Sequence, residues 1–339
     1  MTDILFILKK RLLYSESTYS TVNSGLHNSA TFVNDMLVKN HIKSHLVEVV
    51  DNNEIDKVVT KYKPKVVIIE AIWVVPEKFK VLQDLHPDVK WVVRLHSELP
   101  FLSNEGIAIE WLKDYTKYKN VFIASNSEVF IKSFQPIVKE HIIYMPNYYN
   151  ITKSIVKPNI NPEFEKVLNI GLFGAIRPMK NSLTQAIGAM IYADKVGKIL
   201  HLHINTERVE QKGENALKNI KALFKGTPHK LVEHKWLKHS QFVKLVSTMD
   251  LGLQVSLSET YNIVSADFVN QLVPVVTSDE IEFVNCVNIV KDTNNALEIS
   301  NKIETALLNK YLLTRVNKLF LCNNSIKSEK QWIKIFKNI

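Results

Sequence analysis

The sequence predicts an α/β protein of two doubly wound domains with a cleft between them. Two observations carry this. Apolar, strand-like runs alternate with helical stripes from end to end, and the alternation pauses once near the middle before restarting. A chain of 339 residues is long enough to bury two cores.

The first half opens with the apolar run Ile4–Leu8. Phe32, Val33, Met36 and Leu37 then form a helical stripe within Ser29–Val38. Strands are expected at His45–Val50, at Lys65–Ile69 after a lysine-rich helix, and at Trp91–Leu95 after a helix around Phe79–Leu85. Val121–Ala124 and Ile142–Met145 complete the set. Asn147 to Pro162, with Pro158, Pro162 and several asparagines, reads as a linker. Alternation resumes at Val167–Phe173 and continues through Ile199–Ile204, Lys230–Val232, Leu251–Val255 and Val273–Val276. A helix at Ala296–Leu308 and a tail at Glu329–Phe336 close the chain. Trp332 and Phe336, at helical spacing, are expected to pack that tail. Ligands of doubly wound sheets sit at the carboxyl ends of the strands, so the turns there are the places to look for chemistry.

Composition narrows the field. Apolar residues make up 46% and charged residues 23%, both ordinary for a globular protein. No apolar run approaches the roughly eighteen residues of a membrane span, and the first residues read as a strand rather than a signal peptide. Cys286 and Cys322 spell neither a disulfide framework nor a zinc spacing, which makes a reducing cytoplasm the expected setting. Five histidines, His201, His203, His229, His234 and His239, show no metal spacing on one element and read as surface or strand residues.

Net charge is +9 and uneven: +2 over residues 1–155 and +7 over 156–339. It concentrates in 195–244 (11 basic, 4 acidic) and 302–339 (8 basic, 2 acidic). Solvated helix faces are the plain reading; an anionic partner, nucleic acid included, is the sharper one.

Two turns in the second half stand out. After the strand Leu251–Val255 comes Ser256-Leu-Ser-Glu259, then a helix start, then Asp267, then Val273-Pro-Val-Val-Thr277. The backbone N–H groups around Tyr261, Asn262, Ile263 and Val264 at the helix start suit a diphosphate. The carboxylates Glu259 and Asp267 suit hydroxyl groups instead, as on a sugar. The plain alternative for Glu259 is an acid at a helix N-terminus. The other turn is Gly174-Ala-Ile-Arg177-Pro-Met-Lys180-Asn181, directly after Val167–Phe173. Gly174 permits close backbone approach, Arg177 forks onto phosphate oxygens and Lys180 adds a point charge. The plain alternative is a βα turn with two solvated cations. Ser182 and Gln185 make a capping-box pattern for the following helix. No GxGxxG follows either first strand, and nine glycines leave no room for a Gly-rich phosphate cradle.

In the first half, His96 follows a strand and stands where ligands of such sheets bind, or is an ordinary hydrogen-bonded strand-end histidine. Gly25, in the polar turn Asn23–Ser29, contacts acceptor or phosphate, or belongs to a helix cap. Asn147 is expected to shape the hinge before the linker.

Residues 166–280 resemble the GT-B glycosyltransferases of the large retaining family 4. That family carries Gly-Arg-x-x-x-x-Lys-Gly/Asn after the first strand of its C-terminal domain, then Ser-x-x-Glu-x7-Glu and Gly-x-Pro-Val-Val. Here Ala175 stands where the family has Arg, Asp267 where it has the second Glu, and Val273 where it has Gly. Arg94-Leu-His96 and Met145-Pro-Asn147 resemble weaker landmarks of the first domain, and the wording of Gly174–Asn181 together with Met249-Asp-Leu-Gly-Leu-Gln-Val-Ser256 resembles a bacteriophage subgroup.

The resemblance implies GT-B architecture. It implies an acceptor-side Rossmann-like domain at 1–150, a donor domain at 151–320 and a C-terminal helix at 321–339 that crosses back to the first domain. It implies retaining, metal-independent sugar transfer from a nucleotide-diphosphate sugar, UDP-linked, that is a substrate and not a cofactor. Arg177 and Lys180 would neutralise the diphosphate, Glu259 would contact the donor sugar, Asp267 the ribose and His96 the transferred sugar. Two competing readings stay open: transfer to hydroxymethylated DNA bases, and a non-catalytic nucleotide-sugar-binding protein.

Overall fold

The computed structural model describes residues 2–10, 12–15, 18–21, 25–155 and 166–337. Asn23, Ser24 and the prolines 158 and 162 lie outside the described residues. The chain forms two units, residues 1–150 with 325–339, and residues 151–324.

Unit 1 begins with β1 (Thr2–Lys9), a hairpin of β2 (Leu12–Ser15) and β3 (Thr18–Thr21), and α1 (Gly25–Lys39). It continues through β4 (Ser44–Val49), α2 (Glu54–Tyr62), β5 (Pro64–Glu70), α3 (Lys78–Leu85) and β6 (Lys90–Leu95). Then come α4 (Leu99–Leu102), α5 (Ala108–Tyr115), β7 (Val121–Ser125), α6 (Glu128–Phe134) and β8 (Ile143–Tyr144). Among the described residues the parallel sheet runs β4-β1-β5-β6-β7-β8. Its strands are apolar on both faces because helices cover both. In β1, Leu5 and Ile7 enter one core with Val67, Trp91 and Phe79, while Ile4 and Phe6 enter another with Val33, Met145 and Trp332.

Unit 2 runs β9 (Val167–Leu172), α7 (Ser182–Lys195), β10 (Ile199–Asn205), α8 (Glu214–Phe224), β11 (Lys230–His234) and α9 (His239–Ser247). It continues with β12 (Leu251–Gln254), α10 (Ile263–Asn270), β13 (Val275–Ser278), β14 (Ile289–Val290) and α11 (Ala296–Leu308). The last helix, α12 (Lys310–Phe336), gives its residues up to 324 to unit 2 and the remainder to unit 1. Among the described residues the sheet order is β11-β10-β9-β12-β13-β14, all parallel. This is the doubly wound order whose switch point lies between β9 and β12, where helices leave to opposite faces and open a crevice at the strand ends.

Packing fixes the helix that starts beside this crevice. Gly171 of β9 and Gly252 of β12 are register partners. A Cβ on Gly252 would sit 2.5 Å from the Phe268 ring of α10, and one on Gly171 would sit 2.8 Å from it. Phe268 also stacks on Phe173 at 6.0 Å. The two glycines thus let α10 settle close onto the sheet.

Candidate functional site

The two turns singled out in the sequence leave β9 and β12, the strands on either side of the unit 2 switch point. In the first, Gly174 takes φ +123°, a backbone setting that L side chains rarely adopt. Its N–H donates to Asn205 Oδ1, at the end of β10, at 3.1 Å. Asn181 closes the turn in the left-handed conformation, φ 53°. The amide of Asn181 donates to Thr293 O at 2.7 Å and Val255 O at 3.3 Å.

The capping-box expectation for α7 is corrected here. Asn181 is the cap residue and no side chain caps the helix. Gln185 instead spans the two turns: its amide donates to Lys180 O at 2.7 Å, and its oxygen accepts from Val255 N–H at 2.8 Å. The sequence pattern was right about the residue types and wrong about their partners, because the left-handed Asn181 ends the turn one residue before Ser182.

In the second turn Asn262 is also left-handed, φ 61°, and caps α10 by accepting from Ser265 N–H at 2.9 Å. Its amide donates to Gln254 Oε1 at 2.9 Å and to Glu259 Oε1 at 3.3 Å. Gln254 in turn donates to Phe173 O at 2.9 Å. Tyr261 packs its ring against Phe283, and Ile263 opens the helix. The Lys180 ammonium pairs with the Glu259 carboxylate and so joins the two turns.

Electrostatics follow from that crowding. Burial pulls Lys180 below the usual lysine range; Glu259 opposes this, while Arg177 and Arg208 add to it. Burial works upward on Glu259, yet Lys180 and Arg177 outweigh it and hold the carboxyl below the usual range. Arg177 lies 3.8 Å from Glu210, which also binds Arg208 at 2.7 Å.

Asp267 is buried on α10 and its Oδ1 meets His239 Nε2 at 2.8 Å. The expectation of surface or strand histidines therefore fails at two positions. His239 faces Asp267 from α9, and His229 is buried, accepting from Leu200 N–H at 3.0 Å and meeting Asp194 at 3.0 Å. Among the described residues no group of three His, Cys, Asp or Glu is arranged to hold a metal ion.

His96 and Gly25 belong to unit 1. His96 is mostly buried and pairs with Glu70 at the end of β5. Glu70 and Arg94, both fully buried, meet at 3.0 Å. Arg94 also donates to Met145 O at 3.0 Å, Pro146 O at 2.9 Å and Asn147 Oδ1 at 2.7 Å. Burial pushes Glu70 up, but Arg94 and His96 outweigh it and hold the carboxyl low. Burial and then Arg94 pull His96 below the usual histidine range, and Glu70 only partly opposes them. Asn147, with Ser29 donating to it at 2.8 Å, is fixed inside this network. Gly25 is the first residue of α1, and a Cβ there would meet no atom within 4 Å.

Several members of these clusters were not singled out in the sequence: Asn205, Arg208, Glu210, Gln254 and Glu70. Most stand at or just beyond the last residue of a strand, which is the only signal the sequence offers for them.

Among solved structures the chain is similar to Alr3699/HepE of Anabaena in complex with UDP and glucose, with TM-score 0.69 and 13% identity over 99% of this chain and 100% of that one. OtsA, a trehalose-6-phosphate synthase, gives TM-score 0.70 at 12% identity over 99% of both chains. An alpha,alpha-trehalose-phosphate synthase (UDP-forming) from Burkholderia vietnamiensis gives 0.68 at 10% identity over 100% of this chain and 99% of that one. No protein-family model matches the sequence, and no curated protein matches it. These likenesses establish the fold: two parallel, Rossmann-like α/β sheets in GT-B architecture.

Proposed function

We propose that the protein is a glycosyltransferase that takes a sugar from a nucleotide-diphosphate donor, UDP-linked, and passes it to a hydroxyl acceptor. The observation that carries this reading is the Lys180–Glu259 pair, which closes two turns at the switch point of unit 2. Fold alone does not give function, so the site must supply the argument. Cations and helix-start amides suit a diphosphate; buried carboxylates beside them suit hydroxyls. In support, Anabaena HepE has been solved with UDP-glucose and S. aureus TarM with UDP.

In this reading Arg177 and Lys180 neutralise the departing diphosphate, and the amides at the start of α10 assist. Glu259 takes hydroxyls of the donor sugar and Asp267 those of the ribose. Transfer retains anomeric configuration, and the cations do at the leaving group what a metal does elsewhere. The test is calorimetric titration with UDP, followed by turnover of UDP-glucose and NMR of the product anomer in EDTA. Failure to bind any nucleoside diphosphate would sink the reading; an inverted product, or activity lost in EDTA and restored by Mg²⁺, would sink its finer parts.

Transfer to DNA bases draws on the basic stretches 195–244 and 302–339. Their cations are spread over several elements and some are paired, Lys195 with Glu304 at 2.8 Å and Lys221 with Glu233 at 3.0 Å. That spread favours a glycan or small-molecule acceptor. Retention on hydroxymethylated duplex that falls steeply with salt would reverse the choice.

A further inference from the structure

We infer that Arg208 is a further diphosphate-binding residue of the unit 2 site and that Glu210 is the residue that positions it. The inference rests on the donor reading above and adds a cation from a segment outside both turns.

The segment after β10 is clamped to the first turn by its backbone. Ile176 N–H donates to Arg208 O at 2.9 Å, and Glu210 N–H donates to Ile176 O at 2.9 Å. The two chains form a parallel bridge at Ile176 and Val209. Gly213 makes the approach feasible, since a Cβ there would lie 2.1 Å from Ile176 O. In that register Glu210 stands opposite Arg177 and Arg208 opposite Ala175, and the Glu210 carboxylate reaches both arginines.

The side chain is held in a defined plane. Arg208 is 13% exposed, and its Nε donates to Glu210 Oε1 at 2.7 Å. The guanidinium lies over the Trp236 ring, 5.1 Å from its centroid. The backbone of Trp236 is itself tied back, its main-chain N–H donating to Glu207 Oε2 at 2.7 Å. Glu210 thus engages Arg208 through one oxygen and approaches Arg177 through the other at 3.8 Å.

Among the described residues, the cations Arg177, Lys180 and Arg208 gather here with the carboxylates Glu210 and Glu259. Burial lowers the Lys180 ammonium most, and the nearby charges of Arg177 and Arg208 lower it further. A cluster of cations at the carboxyl ends of strands suits an anionic ligand. A planar guanidinium fork matches two phosphate oxygens, where an ammonium matches one.

The experiment is calorimetry of UDP, GDP and ADP against the wild type, Arg208→Gln, Arg208→Lys and Lys180→Ala, with uridine as the phosphate-free probe. Arg208→Gln should weaken nucleoside diphosphate binding roughly ten- to a hundredfold and leave uridine binding unchanged. Arg208→Lys should recover only part of the loss. If Arg208→Gln lowers the melting temperature, Arg208→Gln with Glu210→Gln removes both charges together and should show the same loss. Wild-type affinity in the Arg208 variants, with affinity lost in Lys180→Ala, overturns the role of Arg208 and leaves the donor reading standing. Binding of none of the three nucleotides by the wild type overturns both.

Discussion

The Lys180 ammonium and the Glu259 carboxylate, 79 residues apart in the chain, meet across the two turns that leave β9 and β12. Neither side chain is more than 16% exposed. The pair therefore has two jobs in the proposed reading: it holds the turns together, and it opens when a diphosphate claims the lysine.

That double role separates the two single substitutions. Lys180→Ala leaves Glu259 with Asn262 as a remaining partner and removes a cation from the donor site. Loss of nucleoside diphosphate binding by about 2–3 kcal/mol is expected. Glu259→Gln should retain diphosphate binding and lose sugar transfer. Calorimetry with UDP and with UDP-glucose, alongside melting temperature, reads the split. Equal effects of both variants on UDP affinity would assign Glu259 a purely structural part.

Glu70 and Arg94 make a stronger structural claim. Both are fully buried, and Arg94 also serves Met145 O, Pro146 O and Asn147. Removing one partner of such a pair strands a buried charge, so Glu70→Ala is expected to cost about 3–5 kcal/mol of unit 1 stability. Replacing both with apolar residues should cost less than the sum of the singles. Urea unfolding of the two singles and the double variant measures the coupling, and strict additivity would mean that the pair is not the stabilising element.

Much of this fold was legible because its strands are buried on both faces and so read as continuous apolar runs. The helix Ala296–Leu308 was read with the bounds it has in the structure. The long helix α12 was seen only as its last turns. Its buried face uses Thr314, Asn317, Ser325 and Ser328 between Leu313, Leu321 and Trp332, so polar residues hide the period. The hairpin of β2 and β3 was missed within a serine- and tyrosine-rich stretch with no apolar alternation. At the site, the two turns were legible as local motifs. Glu70 was not, since its partner Arg94 lies 24 residues on; Arg208 and Glu210 pair two residues apart, but they join the first turn through a bridge that no local pattern encodes.

Gly252 gives a packing test. Its Cβ position is 2.5 Å from the Phe268 ring, and that ring is wedged against Phe173. Gly252→Ala should therefore displace α10 and destabilise the protein by roughly 1–3 kcal/mol through overpacking. Gly252→Ala with Phe268→Leu should recover part of that loss. A melting temperature unchanged by the single substitution would show that α10 does not depend on this close approach.

The His239–Asp267 contact makes stability depend on pH in a direction that can be worked out. Burial pulls the imidazole down, but the hydrogen bond to Asp267 and its charge outweigh that, so His239 titrates above the ordinary histidine value in the folded protein. An unfolded histidine titrates near 6.5. Protonated His239 is therefore favoured by folding. Its contribution is complete below about pH 6.5 and declines as pH rises through the folded value. His239→Gln should remove this dependence. The stability difference between wild type and variant is expected to be larger at pH 6 than at pH 8.5, read by denaturant unfolding at both. An imidazole titration followed by NMR should place His239 above 6.5 in the wild type and return it toward that value in Asp267→Asn. A difference that grows with rising pH would mean that the neutral ring, not the imidazolium, is what Asp267 holds.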